Sequence, residues 1–216
     1  MINGGKNGNQ LSSVESYDGK SWDQKRFANL PEVLSQHCMV KINDSMLMSI
    51  GGLANSRASG NTYFFDVLKN TWTNGPSLIT PRYSHSCGLM NTKNPSTGKM
   101  DVVVVAGGTD DADGNISWFS SSELLYLGNY ESNKAGWTIG QSLPLALRQT
   151  SMIEYQSGVI LLGGLRKNSE TNMVANQHLY QLQTPLGPWT TMQQTFKDGF
   201  DSDLAFLVPD EVVKCH

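Results

Sequence analysis

The stretch His37-Cys38-Met39-Val40-Lys41-Ile42-Asn43-Asp44-Ser45-Met46-Leu47-Met48-Ser49-Ile50-Gly51-Gly52 reads as two short apolar runs around a polar turn, closed by a glycine pair. After a loop come Tyr63-Phe64-Phe65-Asp66 and, seven residues beyond Phe65, Trp72. The same order returns further along the chain. His85 to Met90, Val102 to Val105, Gly107-Gly108, Leu124-Leu125-Tyr126 and Trp137 form one copy. Gln149 to Tyr155, Val159 to Leu162, Gly163-Gly164, Leu179-Tyr180 and Trp189 form another. A fourth glycine pair, Gly4-Gly5, opens the chain, so the pairs are spaced by 47, 56 and 56 residues. Such a period is the length of one supersecondary unit that cannot bury its own faces, which predicts an array of stacked units. Each unit offers four short strands bounded by Gly, Asn, Ser and Pro clusters, and no helical period competes.

The second strand of each unit is an unbroken apolar run where a sheet with one wet face would alternate, so both of its faces are covered. In an all-β repeat the covering layers are the neighbouring units, and radial stacking of four-stranded sheets, a propeller, achieves this with only short exposed edges. The glycine pair sits where the backbone leaves the buried strand and turns tightly beside a neighbour.

Gly-Gly, then Tyr or Phe with Asp (Tyr17-Asp18, Phe65-Asp66), then Trp, then a Pro-containing connector with Arg and a later His (Pro81-Arg82-Tyr83-Ser84-His85) resembles the kelch repeat. The resemblance spans nearly the whole chain. It departs at Gln181, where Asp is usual, and at Leu34-Ser35-Gln36, which lacks the arginine. It implies an all-β propeller of kelch-type blades, three complete and one split or partial. The units are expected at 1–30 (lacking its first strand), 31–80, 81–145 and 146–195, with 196–216 holding a closing first strand, Asp203 to Val208, that pairs with the first unit. Kelch propellers usually close with six or seven blades, so the native protein is expected to extend upstream of Met1.

Composition narrows the function. A net charge of -3 with 16% charged residues gives no electrostatic case for nucleic acid or an anionic membrane. No apolar stretch approaches the roughly 18 to 20 residues of a membrane span, and Met1 to Gln10 is polar, without a signal pattern. Cys38 and Cys87 fall in first strands and read as buried free thiols. Cys215 differs: just past an apolar strand, it would tie the tail to a partner cysteine in an oxidising compartment. Asn43-Asp44-Ser45 and Asn115-Ile116-Ser117 are glycosylation acceptors in expected turns, although Asn-Asp is also ordinary turn chemistry. Together these tilt the compartment toward the extracellular.

No cofactor or metal site is expected. His37 and His85 share one repeat position and read as structural. His178 near Tyr180 lacks the further histidines of a copper set. Asp111, Asp113 and Asn115 open like a calcium loop, but the turn glycine is missing and the twelfth position is Ser122. The binding reading rests on which loops share a face. With antiparallel strands, the loop after each glycine pair and the connector between units emerge on one side. That face gathers Arg57, Arg82, Tyr83, Asp110, Asp111, Trp118, Arg148 and Arg166, a polar and aromatic composition suited to contact. In kelch members that bind peptides this is the face used, and Arg82 and Arg148 fall in or near the matching connector position. The alternative for each arginine is a brace between units; for Trp118 it is a cover for its own unit. Two functions follow: a noncatalytic module for a protein or peptide partner, with glycan as a further ligand class, or a propeller enzyme of the sugar-modifying or oxidase type.

Overall fold

The computed structural model describes residues 2–3, 5, 9–94, 98–111, 116–130, 136–169 and 172–195. The chain runs β1 (Ile2–Asn3), β2 (Val14–Tyr17), β3 (Trp22–Asp23), then β4 (Cys38–Asn43), β5 (Met46–Ala54), β6 (Arg57–Asp66) and β7 (Thr71–Asn74). It continues through β8 (Ser86–Asn94), β9 (Gly98–Ala106), β10 (Thr109–Asp110), β11 (Ser117–Trp118), β12 (Ser122–Tyr126), the single turn α1 (Leu127–Tyr130) and β13 (Thr138–Ile139). Last come β14 (Ser151–Tyr155), β15 (Gly158–Leu162), β16 (Leu165–Lys167), β17 (Met173–Ala175), β18 (His178–Leu182) and β19 (Thr190–Thr195). These make one three-stranded sheet, β1-β2-β3, and three four-stranded sheets, β4-β5-β6-β7, β8-β9-β12-β13 and β14-β15-β18-β19. Within each, neighbouring strands pair antiparallel. Two short ribbons, β10-β11 and β16-β17, grow from the loops after Gly107-Gly108 and Gly163-Gly164.

The first strands β4, β8 and β14 lie side by side, so the sheets stack face to face around an axis. Each stack buries a core of its own. Val103 and Val105 pack with Val40, Met48, Ile50, Phe64 and Leu89 between the second and third blades. Their neighbours Val102, Val104 and Ala106 point the other way, into Leu147, Val159, Leu161, Tyr180 and Trp189 between the third and fourth. Val14, Leu30, Leu34, Ala54 and Tyr63 fill the first joint. All five residues from Val102 to Ala106 have no exposure, and each of the four valines contributes roughly 1.5–3 kcal/mol on burial. That is why the second strands carry no polar alternation.

The glycine pairs turn against the connector that follows the next strand set. Gly108 holds φ +93, and a Cβ there would lie 2.8 Å from both the Tyr83 carbonyl oxygen and His85 Cβ. Its N–H donates to the Leu147 carbonyl at 2.7 Å, as Gly52 donates to Arg82 at 2.9 Å and Gly5 to Leu34 at 2.8 Å. Gly108→Ala therefore meets both a disfavoured dihedral, costing about 1–3 kcal/mol, and a backbone atom that cannot swing aside. A lowered urea midpoint is the expected outcome; an unchanged one would show that the turn relaxes freely.

The tryptophans act in register. Trp72 Nε1 donates to the Ala28 carbonyl at 2.9 Å, Trp137 to Pro76 at 2.9 Å and Trp189 to Gln141 at 3.0 Å, each reaching the connector before its own blade. Two of these acceptors are shared: Thr62 Oγ1 also donates to Pro76 at 2.8 Å, and Ser122 Oγ to Gln141 at 2.7 Å. Trp72 lies within β7, whereas Trp137 and Trp189 stand one residue before their outer strands rather than in them.

Cys38 and Cys87 are joined in a disulfide, with Cα atoms 5.9 Å apart, which corrects the reading of both as free thiols. Residue equivalence explains the pairing. Cys38 pairs with Ile50 while Ser86, not Cys87, pairs with the equivalent Ala106. The two cysteines are thus one residue out of step, and one step turns a strand side chain to the opposite face. Cys38 faces forward and Cys87 back, so they meet between the blades. Cys215 and the expected closing strand, Asp203 to Val208, lie outside the described residues.

Candidate functional site

Connectors and post-glycine loops do share a face, because they are bonded to each other. Ser35 bridges Leu53, Tyr83 bridges Thr109 and Arg148 bridges Leu165. The next connector residues, Gln36, Ser84 and Gln149, all take left-handed backbone, with φ of 53, 52 and 54. Ser84 N–H donates to the Gln36 carbonyl at 2.9 Å and Gln149 N–H to the Ser84 carbonyl at 2.8 Å. A ladder of connectors thus runs from blade to blade around the axis.

Arg82 belongs to this frame and not to the surface. It is fully buried. Its Nη2 pairs with Glu123 Oε1 at 2.9 Å and meets Ser121 Oγ at 3.1 Å, while Nη1 donates to the Gly107 carbonyl at 2.8 Å and the Ser121 carbonyl at 3.1 Å. Glu123 in turn accepts the connector amides of Ile79 at 2.7 Å and Thr80 at 3.0 Å. Burial pulls the guanidinium pKa down and Glu123 pulls it back up. The expectation that Arg82 contacts a ligand is corrected: it is a brace. At the preceding joint the roles are exchanged, since connector residue Glu32 takes the Tyr63 hydroxyl at 3.0 Å and Asn61 Nδ2 at 3.1 Å. Burial first, then the hydrogen bond to Glu32 and its charge, push the Tyr63 phenol up to about 12.

Above Arg82 the structure gathers five of the residues read from the sequence. The β10-β11 ribbon places Asp110 opposite Ser117 and Thr109 opposite Trp118. Arg148 Cζ stands 4.5 Å over the Trp118 ring and Lys167 Nζ 5.7 Å from its centroid, arrangements in which the ring quadrupole attracts each cation. Arg148 Nη2 lies 3.3 Å from Met173 Sδ, a weak acceptor, and its Nε has no partner. Tyr83 is 8% exposed; burial raises its pKa, Asp111 and Asp110 add to the rise and Arg148 opposes it. Among the described residues neither Arg148 nor Lys167 forms an ion pair. Trp118 is half-buried, and the two cations near its ring come from the connector before the fourth blade and from β16.

The remaining two lie apart. Arg57 is exposed at the tip of the β5-β6 hairpin, opposite Ala54. Arg166 alternates away from Lys167 on β16, and its charge is felt at Tyr180. Of the basic pair on this loop the sequence reading singled out Arg166 and not Lys167; the two-residue period of a strand would have separated them.

Below the connector ladder an axial cavity of about 330 Å³ is lined by Gln36, His37, Ser84, His85, Thr150 and Met152, with no charged side chain. Burial pushes His37 down to about 4 and His85 to about 3, the latter helped by Arg82. Both imidazoles stay neutral in the folded chain while the unfolded chain takes up protons near pH 6.5. Stability is therefore full above about pH 6.5 and falls as pH drops toward 4, by up to about 1.4 kcal/mol per pH unit for each histidine. Urea unfolding from pH 7 to 4.5 is expected to show this slope, reduced in His85→Gln; a flat profile would contradict it. Among the described residues no three His, Cys, Asp or Glu side chains converge as metal ligands. His178 is exposed, its ring 6.4 Å from Tyr180; Asp113 and Asn115 of the calcium-like loop lie outside the described residues.

Stacked antiparallel blades, glycine-pair turns on a shared face and tryptophans joining the second, third and fourth blades to their predecessors define a kelch-type β-propeller fold, and the chain is similar to kelch-repeat proteins. No family model matches it. It is 27% identical over 112 residues to an F-box/kelch-repeat protein of Arabidopsis thaliana, covering 52% of this chain and 21% of that protein. It is 32% identical over 102 residues to beta-scruin of Limulus polyphemus (43% of this chain, 11% of the relative) and 23% over 181 residues to alpha-scruin of the same animal (81% and 18%). The solved structure of YjhT superposes with a TM-score of 0.59 at 12% identity, over 84% of this chain and 51% of that one. The chain thus spans a fifth or less of two scruins, about a fifth of the F-box/kelch-repeat protein, and about half of YjhT.

Proposed function

We propose that the chain is a noncatalytic binding module that takes a protein or peptide partner on the loop face, centred on Trp118, Arg148 and Lys167. One observation carries this reading: two cations are held against a half-exposed tryptophan, and among the described residues neither forms an ion pair. Aromatic and arginine side chains of this kind dominate binding energy where they are fixed before the partner arrives. Tyr83, Asp110 and Asp111 give the patch a polar rim. The kelch resemblance supports the choice of face. The enzyme alternative, of the sugar-modifying or oxidase type, would need titratable groups converging on one point.

Peptides selected by display on the immobilised chain provide the test. Arg148→Ala and Trp118→Ala are each expected to weaken the selected peptides at least about tenfold, some 1.4 kcal/mol, while Lys41→Ala, on the opposite face, leaves them unchanged. Peptides indifferent to both loop-face variants would move the site elsewhere.

A further inference from the structure

We propose that Asn43 is an N-glycosylation site and that the chain matures in an oxidising secretory compartment. Asn43 ends β4, pairs with Met46 across the Asp44-Ser45 hairpin turn at the edge of the blade, and is exposed. Its Oδ1 accepts Ser45 N–H at 2.9 Å and Ser45 Oγ at 3.1 Å. The acceptor triplet is thereby folded into an Asx turn with the hydroxyl docked on the amide. Nδ2, the atom that would carry the sugar, donates to no group among the described residues. Lys41 Nζ holds the Asp44 carboxylate at 2.8 Å, and that side chain is fully exposed, so no packing stands in the way of an incoming transferase.

The second observation is independent of the turn. Cys38, at the start of the same strand, is oxidised to a disulfide with Cys87, whose side chain is buried. Such bonds form and persist where thiols are not kept reduced, the compartments that also hold lipid-linked oligosaccharide donors. Position agrees with both. The β4-β5 turn lies at the end of the blade opposite Gly51-Gly52, so a glycan on Asn43 leaves the Trp118 patch open.

The step is a group transfer without redox change. Asn43 Nδ2 attacks the anomeric carbon of a pyrophosphate-linked oligosaccharide on a lipid carrier. One C–N bond forms, the C–O bond to the pyrophosphate breaks, and the lipid pyrophosphate leaves while Nδ2 loses one proton.

The experiment expresses the full chain behind a cleavable secretion signal in cultured eukaryotic cells and maps its peptides without reduction. The peptide containing Asn43 is expected to carry a hexosamine-based glycan that peptide-N-glycosidase removes, leaving a heavy-oxygen label at position 43 when the digestion is run in labelled water. Asn43→Gln and Ser45→Ala abolish the modification, and Ser45→Thr keeps it. A translocated chain that shows the Cys38–Cys87 linked peptide but an unmodified Asn43 overturns the proposal. So does a translocated chain in which Cys38 and Cys87 remain free, because the compartment argument then fails.

Discussion

Glu123→Ala is expected to destabilise the chain by about 3–5 kcal/mol, the usual effect of leaving one partner of a buried ion pair alone. Arg82 has no exposure and Glu123 has 2%, so water cannot replace the lost carboxylate. The same truncation strips the Ile79 and Thr80 amides of their shared acceptor. Exposed pairs provide the contrast. Lys69 with Asp66, at 78% and 25% side-chain exposure, should change stability by less than about 1 kcal/mol when broken. Replacing both partners, Arg82→Met with Glu123→Leu, is expected to recover part of the loss, because no charge is then stranded although the Ile79 and Thr80 amides still lack their acceptor. Urea denaturation of the single and double variants decides it. A single-variant loss below about 1 kcal/mol, or a double variant no better than the single, would show that the pair is hydrated in solution. Because the brace is structural, loss of binding in an Arg82 variant would carry no information about the partner surface.

Breaking the Cys38–Cys87 bond has an expected effect of similar size. The bond closes a chain segment of 49 residues, and the loop-entropy relation gives about 4 kcal/mol of stabilisation through the unfolded state. Added reductant should lower the urea midpoint of the wild-type chain and leave that of a Cys38→Ala, Cys87→Ala variant where it is. Thiol titration of the denatured, unreduced protein should find one reactive group among the three cysteines of the sequence. Three reactive thiols, or a midpoint indifferent to reductant, would remove the staple.

The parts of this molecule that were legible in the sequence are those for which physics restricts the residue choice. A strand covered on both faces accepts only apolar side chains, hence Val102 to Val105 and Val159 to Leu162. A left-handed turn pressed on a neighbour's backbone accepts only glycine, hence Gly107-Gly108. The ladder residues Gln36, Ser84 and Gln149 are equally left-handed, yet as glutamine and serine they carry no mark of it. Their conformation is imposed by hydrogen bonds between blades. The disulfide was hidden for a different reason. A gap of 49 residues has no linear signature, and only the one-residue offset between Cys38 and Cys87 within their repeats turns them toward each other. At the candidate site, Tyr83, Asp110, Asp111 and Trp118 came from loop position, and Arg148 also from the connector position that the kelch resemblance implies. Arg82 was misplaced because nothing local announces a carboxylate 41 residues away.

The joints between blades rest on main-chain oxygens, those of Ala28, Pro76 and Gln141, and two of these take a proton from each side. Three acceptors with three unrelated side chains mean that the receiving half of the joint is blind to substitution: any residue supplies the same oxygen. The giving half is not, since only an indole reaches across and only a hydroxyl reaches from within. Random mutagenesis scored by folding should therefore find positions 28, 76 and 141 permissive and positions 62, 72, 122, 137 and 189 restrictive. Blade boundaries in such a chain can drift in sequence while the architecture stays still, with the tryptophans as the visible record of contacts whose other half leaves none.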